Sequence, residues 1–199
     1  MRNVVKFAWV CIPSGEALAV RGGIALDGVR RGKMNKLTEK QLDKIIEAAF
    51  DNPVFAKWFL GKTRVGPLDA ERKFSTSANP WGKITARIAD PVTGDMHEVT
   101  RECETDILVV FEEAISHKRF ALHIENKLAG GKFTPLQPDF YRPRAQKWLK
   151  DPKYGAYTEF ATVLISPQVF YDRFKNECAK FDYFVSHEDI AKHLPAFGE

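Results

Sequence analysis

Three short apolar runs constrain this chain more than any other feature: Ile107-Leu-Val-Val-Phe111, Phe120-Ala-Leu-His-Ile124 and Phe160-Ala-Thr-Val-Leu-Ile-Ser166. Each has strand length and little of the polar alternation of a half-solvated strand, so each belongs inside a covered sheet. Around them the period changes. Leu42, Ile45, Ile46 and Ala49 form a helical stripe, and Thr38 with Gln41 three residues later makes a capping box at its start. Asn52-Pro53 interrupts that helix before a second short one carrying Phe55, Trp58 and Phe59. Ile84, Ala86 and Ile88 alternate with Thr85 and Arg87, and Pro91-Val-Thr-Gly94 supplies turn residues. That pattern predicts a β-hairpin whose return run continues through Glu104 to Phe111. The spacing further predicts a basic helix over 137–149 kinked at Pro143, a helix over 171–180, a brief strand over 181–185 and a last helix capped by Ser186. The order α, β, β, β, α, β, α, β, α describes an α/β domain with a mixed central sheet flanked by helices.

A chain of 199 residues suits one domain. We place it at 37–199 and leave 1–36 as an unassigned N-terminal segment, with weak periodicity that suggests a short strand and a loop. At 44% hydrophobic and 28% charged, the composition excludes disordered, collagen-like and disulfide-scaffold classes. Cys11, Cys103 and Cys178 are widely spaced and form no C-x-x-C pair, which suits a reducing compartment. No apolar run approaches the roughly 18 residues of a membrane span. The run from Phe7 to Pro13 is short for a signal peptide and Glu16 lies beside the only small-residue cleavage pattern, so the expected location is the cytoplasm, away from membranes.

The net charge is +4, and its basic excess is confined to two stretches. One lies within residues 1–40. The other carries Lys132, Arg142, Arg144 and Lys147 with Phe133, Phe140, Tyr141 and Trp148 between them, a composition that tracks a phosphate backbone. A solvated helix face is the plainer account.

Carboxylates also interrupt the apolar runs. Strand alternation puts Glu104 with Asp106 on one face and Glu125 with Lys127 on one face of the next strand. Charges among Ile, Leu, Val and Phe carry a large desolvation cost unless they pair or bind a cation. A structural ion pair at strand ends meets that condition. So does Mg²⁺, which takes oxygen ligands and commonly one or two carboxylates with retained waters, and a lysine two residues from such a ligand can hold the attacking water. His123 shares Glu125's strand face. Gly130-Gly-Lys132 lacks the remainder of a phosphate-loop motif, and no histidine has zinc-ligand spacing.

Asp106 followed by Glu125-Asn126-Lys127 on the next strand resembles the D…(D/E)-x-K core of the PD-(D/E)xK nuclease superfamily, the restriction-endonuclease-like fold. Thr105 stands where the family name has proline. The resemblance spans roughly residues 38–194. It implies that Asp106 and Glu125 bind the metal with the Asn126 carbonyl, that Glu47 from the preceding helix completes the site, and that Lys127 orients the nucleophilic water. Gln137 and Tyr141 are similar to the Q-x-x-x-Y element of some branches, where they position the substrate end. Glu104 and His123 then stand just behind the ligands, and Lys132, Arg142, Arg144 and Lys147 hold the nucleic-acid backbone. The implied protein is a Mg²⁺-dependent deoxyribonuclease, with Mn²⁺ as a substitute metal, RNA left open as a substrate and a homodimer as an open arrangement. The alternative is a catalytically silent nucleic-acid-binding or assembly subunit that keeps the fold.

Overall fold

The computed structural model describes residues 37–67, 69–90 and 92–198; the expectations for residues 1–36, and Cys11 with them, lie outside the described residues. Two helices come first. α1 (Glu39–Ala49) begins at the expected capping box: Thr38 Oγ1 accepts from the Gln41 amide, and Gln41 Oε1 accepts from the Thr38 amide at 2.9 Å. Asn52 caps α2 (Pro53–Thr63), with proline at the first helical position where its missing N–H costs nothing.

Seven strands follow, in two sheets. β1 (Glu71–Thr76), β4 (Ile107–Glu112), β5 (Arg119–Asn126), β6 (Glu159–Ser166) and β7 (Tyr183–Ser186) form a mixed sheet in that spatial order. Its β1/β4 and β4/β5 pairs are antiparallel, and its β5/β6 and β6/β7 pairs are parallel. Among the described residues, β2 (Trp81–Ala89) and β3 (Met96–Glu104) pair only with each other. This corrects the expected continuous return run: the hairpin strand stops at Glu104, and the chain crosses at Thr105-Asp106 into a different sheet. Glu104 and Asp106 therefore do not share a strand face. β1 was not expected either, because Glu71-Arg-Lys-Phe-Ser-Thr76 lies at the sheet edge and has a polar sequence with little apolar alternation to reveal it.

Side-chain parity divides the core. Ile107, Val109 and Phe111 of β4 and Leu122 and Ile124 of β5 face Leu42, Ile46, Phe50, Phe55 and Phe59 of the first two helices. Leu108, Val110 and Ala121 face the opposite layer, which holds Trp148, Tyr154 and Tyr157. That layer is built by α3 (Gln137–Lys147), which runs through Pro143, and by the turn after it. Gly155 there has φ +87, and a Cβ on it would stand 2.9 Å from Val110 Cγ2, so a side chain would separate this turn from the sheet. The hairpin lays Ile84, Ala86 and Ile88 over Phe140 of α3. In place of the single helix expected over 171–180 there are two, α4 (Gln168–Arg173) and α5 (Lys175–Cys178), broken at Phe174, and Ser186 caps α6 (His187–Ile190). No helix among the described residues is long and apolar enough to cross a membrane.

Ile46 is fully buried against the sheet and seats α1. Ile46→Ala should lower unfolding free energy by about 2–5 kcal/mol, the usual cost of such a core truncation. Val54→Ala, at a position 69% exposed, should change it by less than about 0.5 kcal/mol. Urea unfolding of the two variants checks this, and equal effects would mean that the stripe does not dock α1.

Candidate active site

The charged residues gather at one end of the large sheet because of strand register. β4 and β5 run antiparallel with Ile107 opposite Ile124, so Asp106, just before β4, lies at the same end as Glu125, just after Ile124. Parity then sends Glu125 toward α3 and Asn126 toward α1.

Glu125 is fully buried and fully engaged. Oε1 accepts from Lys127 Nζ at 2.6 Å and from Gln137 Nε2 at 2.7 Å, and Oε2 accepts from the Tyr141 hydroxyl. Gln137 and Tyr141 are four residues apart on α3, hence one above the other on its sheet-facing side. Burial, then the charges of Glu125 and Asp106, hold the Tyr141 phenol well above its ordinary pKa, so it stays a donor. Burial alone would lower the pKa of Lys127, but its bond to Glu125 and the carboxylates of Asp106 and Glu39 outweigh this and raise it. Lys127 is therefore an ammonium group, suited to orienting a water or countering charge on a phosphate. The Phe133 ring lies 5.9 Å from its Nζ.

Asp106 is buried, accepts the Asn126 amide at 2.9 Å through Oδ2 and meets Asn79 Nδ2 at 3.4 Å through Oδ1. Burial, then the neighbouring Glu125 and Asp43 charges, push its pKa well above the carboxylate range. Asp43, from the middle of α1, is the residue that sequence reasoning missed. Its Oδ1 accepts from Asn126 Nδ2 at 2.8 Å, and burial raises its pKa to about 6, with Glu125 and Glu39 adding to the shift and Asn126 and Lys127 opposing it. Asn126 Oδ1 in turn meets His187 Nε2 at 2.9 Å. Because Oδ1 can only accept, His187 carries its proton on Nε2.

The structure separates the remaining expected residues. Glu47 lies two turns of α1 from Glu39 and is held elsewhere: its oxygens accept from Ser75 Oγ at 3.0 Å and from the amide and hydroxyl of Ser77. Asp43, one turn earlier on the same helix face, takes the position beside Asn126 that the resemblance gave to Glu47. Glu104 is exposed at the end of β3. His123 faces α3 as Glu125 does, but its partners are Tyr157, at 2.9 Å from Nε2, and Thr105, at 3.3 Å from Nδ1. Arg144 is fully buried, not on a basic surface; its Nε donates to Thr105 Oγ1 at 2.7 Å, and its guanidinium lies 4.1 Å from the Tyr141 ring centre. Lys132, Arg142 and Lys147 are exposed, with Arg142 paired to Asp182 and Lys147 bonded to the Lys83 carbonyl at 2.9 Å.

The buried chain through Thr105 has one direction. Tyr157 donates to the Ala145 carbonyl at 2.7 Å, so it accepts from His123 Nε2–H; Nδ1 then accepts from Thr105, whose oxygen accepts from Arg144. Burial, then the Arg144 charge, hold the His123 pKa well below its ordinary value, which fits this neutral tautomer.

No protein-family model, curated protein or solved structure matches this chain. Among the described residues, no group of three or more His, Cys, Asp and Glu side chains forms a ready set of metal ligands. Asp106 and Glu125 are oxygen donors of the kind Mg²⁺ takes, since proteins commonly hold that ion by one or two carboxylates plus waters. The pKa values of Asp106 and Asp43 are raised first by burial and then by neighbouring carboxylate charges, and a bound cation would oppose both.

Asp43 provides a direct check. With its folded pKa near 6 and its ordinary value at 3.8, the folded protein holds this proton across that interval while the unfolded chain has lost it. Its contribution to stability thus declines as pH rises from about 4 to about 6 and stays unfavourable above. Buried His187, lowered to about 4 by burial, acts in the opposite direction over the same interval, so the comparison must be between variants. Asp43→Asn should be more thermally stable than wild type at neutral pH without metal, and that gain should vanish as pH falls toward 4. A gain independent of pH would mean that Asp43 is not held protonated by its surroundings.

Proposed function

We propose that this chain is a metal-dependent nuclease that hydrolyses phosphodiester bonds of DNA. The observation that carries the reading is the buried grouping of Asp106, Glu125 and Asp43 around one ammonium group, Lys127, at the end of a sheet. Buried unpaired acids are costly, so an excess of them over cations in a core needs a reason. The mixed sheet flanked by helices supports assignment to the restriction-endonuclease-like fold of the PD-(D/E)xK superfamily, as do the contacts of Gln137 and Tyr141 with Glu125.

In this reading Asp106, Glu125 and the Asn126 carbonyl would hold Mg²⁺, with Mn²⁺ as substitute, and Asp43 would take the place of Glu47 as the helix carboxylate. The bound ion supplies charge neutralisation on the scissile phosphate. Lys127 orients the attacking water, while Gln137 and Tyr141 fix the Glu125 carboxylate. Lys132, Arg142 and Lys147 offer exposed cations to the nucleic-acid backbone, and Arg144 acts from the interior by stacking under Tyr141. One observation favours the alternative of a silent nucleic-acid-binding subunit: both Glu125 oxygens already have donors.

Asp106→Asn, Glu125→Gln and Lys127→Gln should each reduce cleavage of linear or circular DNA by about 10²-fold or more while leaving the thermal unfolding transition cooperative. EDTA should abolish wild-type cleavage and added Mg²⁺ restore it. Undiminished cleavage in EDTA would exclude the mechanism; absence of cleavage with every substrate and metal would select the silent subunit. Glu47→Gln should leave the Mg²⁺ requirement unchanged and destabilise the protein, because its charge serves Ser75 and Ser77.

A further inference from the structure

A cavity of about 310 Å³ lies along β3 and the start of α3, lined in part by Trp81, Arg101, Cys103, Glu104, Gln137 and Arg144. Gln137 belongs to both this cavity and the candidate active site, since its amide nitrogen donates to Glu125. Two further features mark it as a ligand site. Arg144 forms part of its wall, is 0% exposed, and has an Nη2 with no hydrogen-bond partner, the single such buried side-chain atom among the described residues. A buried guanidinium nitrogen without an acceptor is costly, and an oxygen from a molecule in the cavity would satisfy it. At the cavity's edge Trp81 is 63% exposed, which leaves indole surface on which a ring can stack.

We propose that this cavity receives one unpaired nucleotide of the DNA strand, with its phosphate toward Arg144 and Arg101 and its base stacked on Trp81. Base stacking on an exposed aromatic ring needs no sequence match, and guanidinium groups pair with phosphate oxygens in a forked geometry. Glu104, opposite Trp81 in the hairpin register, can accept from a base N–H group, including the imide of thymine, and repels phosphate, which sets the direction of entry. A base paired within a duplex cannot enter, so the site selects single strands or frayed and overhanging ends. This inference rests on the nuclease reading and narrows its substrate.

The test uses the full chain in EDTA, with fluorescence anisotropy of a short labelled oligothymidylate and of the blunt duplex of the same length. The single strand should bind about tenfold or more tightly than the duplex. Trp81→Ala should weaken single-strand binding by about tenfold, Trp81→Phe should largely restore it, and Arg101→Ala should weaken it with a shallower salt dependence. Equal binding of the two probes, no binding of the single strand, or an unaltered Trp81→Ala would overturn the proposal. Cleavage assays with Mg²⁺ separate the two failures. Wild type that cleaves but shows no Trp81 dependence in binding retains the nuclease reading and loses the cavity. Wild type that never cleaves yet binds the single strand through Trp81 retains the cavity and loses the nuclease.

Discussion

The ion pair between Glu125 and Lys127 is the constraint around which this end of the molecule is arranged. A carboxylate with no exposure cannot stay charged without donors on both oxygens, and the sheet alone offers none, because its backbone groups are used by neighbouring strands. The donors come from the residue two places along β5 and from two side chains one turn apart on α3. α3 must therefore lie with its first two turns over the end of β5. The hairpin follows, since its inner face has Phe140 of that same helix to cover it. Breaking such a buried pair from one side commonly costs about 3–5 kcal/mol, so the arrangement is enforced by more than the apolar core.

The second layer depends on Thr105. It stands where the chain leaves the hairpin for the central sheet, and its amide bonds to the Pro80 carbonyl at 3.1 Å, which ties both ends of the hairpin together. Its hydroxyl links Arg144 to His123 in a chain with a defined direction, so a cation, a neutral imidazole and a phenol are buried side by side with each proton assigned. Arg144 has no carboxylate partner among these contacts. Its stabilisation comes from the faces of Tyr141 and Trp148, and through Tyr141 from the charge on Glu125.

The apolar pattern made the central strands β4, β5 and β6 and the first helix legible from residues alone, because their positions are decided by burial. The capping box at Thr38 and the cap at Ser186 were legible for a local reason: their hydrogen bonds lie within three residues. β1 and the division into two sheets were not. An edge strand is polar, and nothing local in Glu104-Thr-Asp106 marks a change of partner; the change is decided by which strands the hairpin can reach. Asp43 was missed beside Glu47 for a related reason. Both lie beside the stripe of α1 at a spacing of four, and only the axial position of the helix along the sheet, a tertiary quantity, decides which meets Asn126. The weak helix preference of aspartate at a stripe edge was the signal available. Arg144 was grouped with surface cations because its neighbours in sequence are basic, although Arg142 and Lys147 point outward and Arg144 does not.

The charges about the site are unequally compensated, and the inequality has a direction. On the α3 side Glu125 has Lys127, with Arg144 stacked behind Tyr141. On the α1 side Asp43 and Asp106 share one neutral donor residue, Asn126, whose side chain serves the first and whose backbone amide serves the second. Its remaining oxygen is held by His187, so Asn126 cannot turn to offer more. Neutral donors offset only part of what burial, and after it the neighbouring carboxylate charges, do to these acids, and the pKa of each stays raised. The side of Asn126 that faces α1 and the start of β4 is thus the one on which these contacts give the acids only neutral donors. A cation bound there, as proposed, would offset the charge of Asp106 and Asp43, whereas Glu125 would have to exchange one of its three donors to join them.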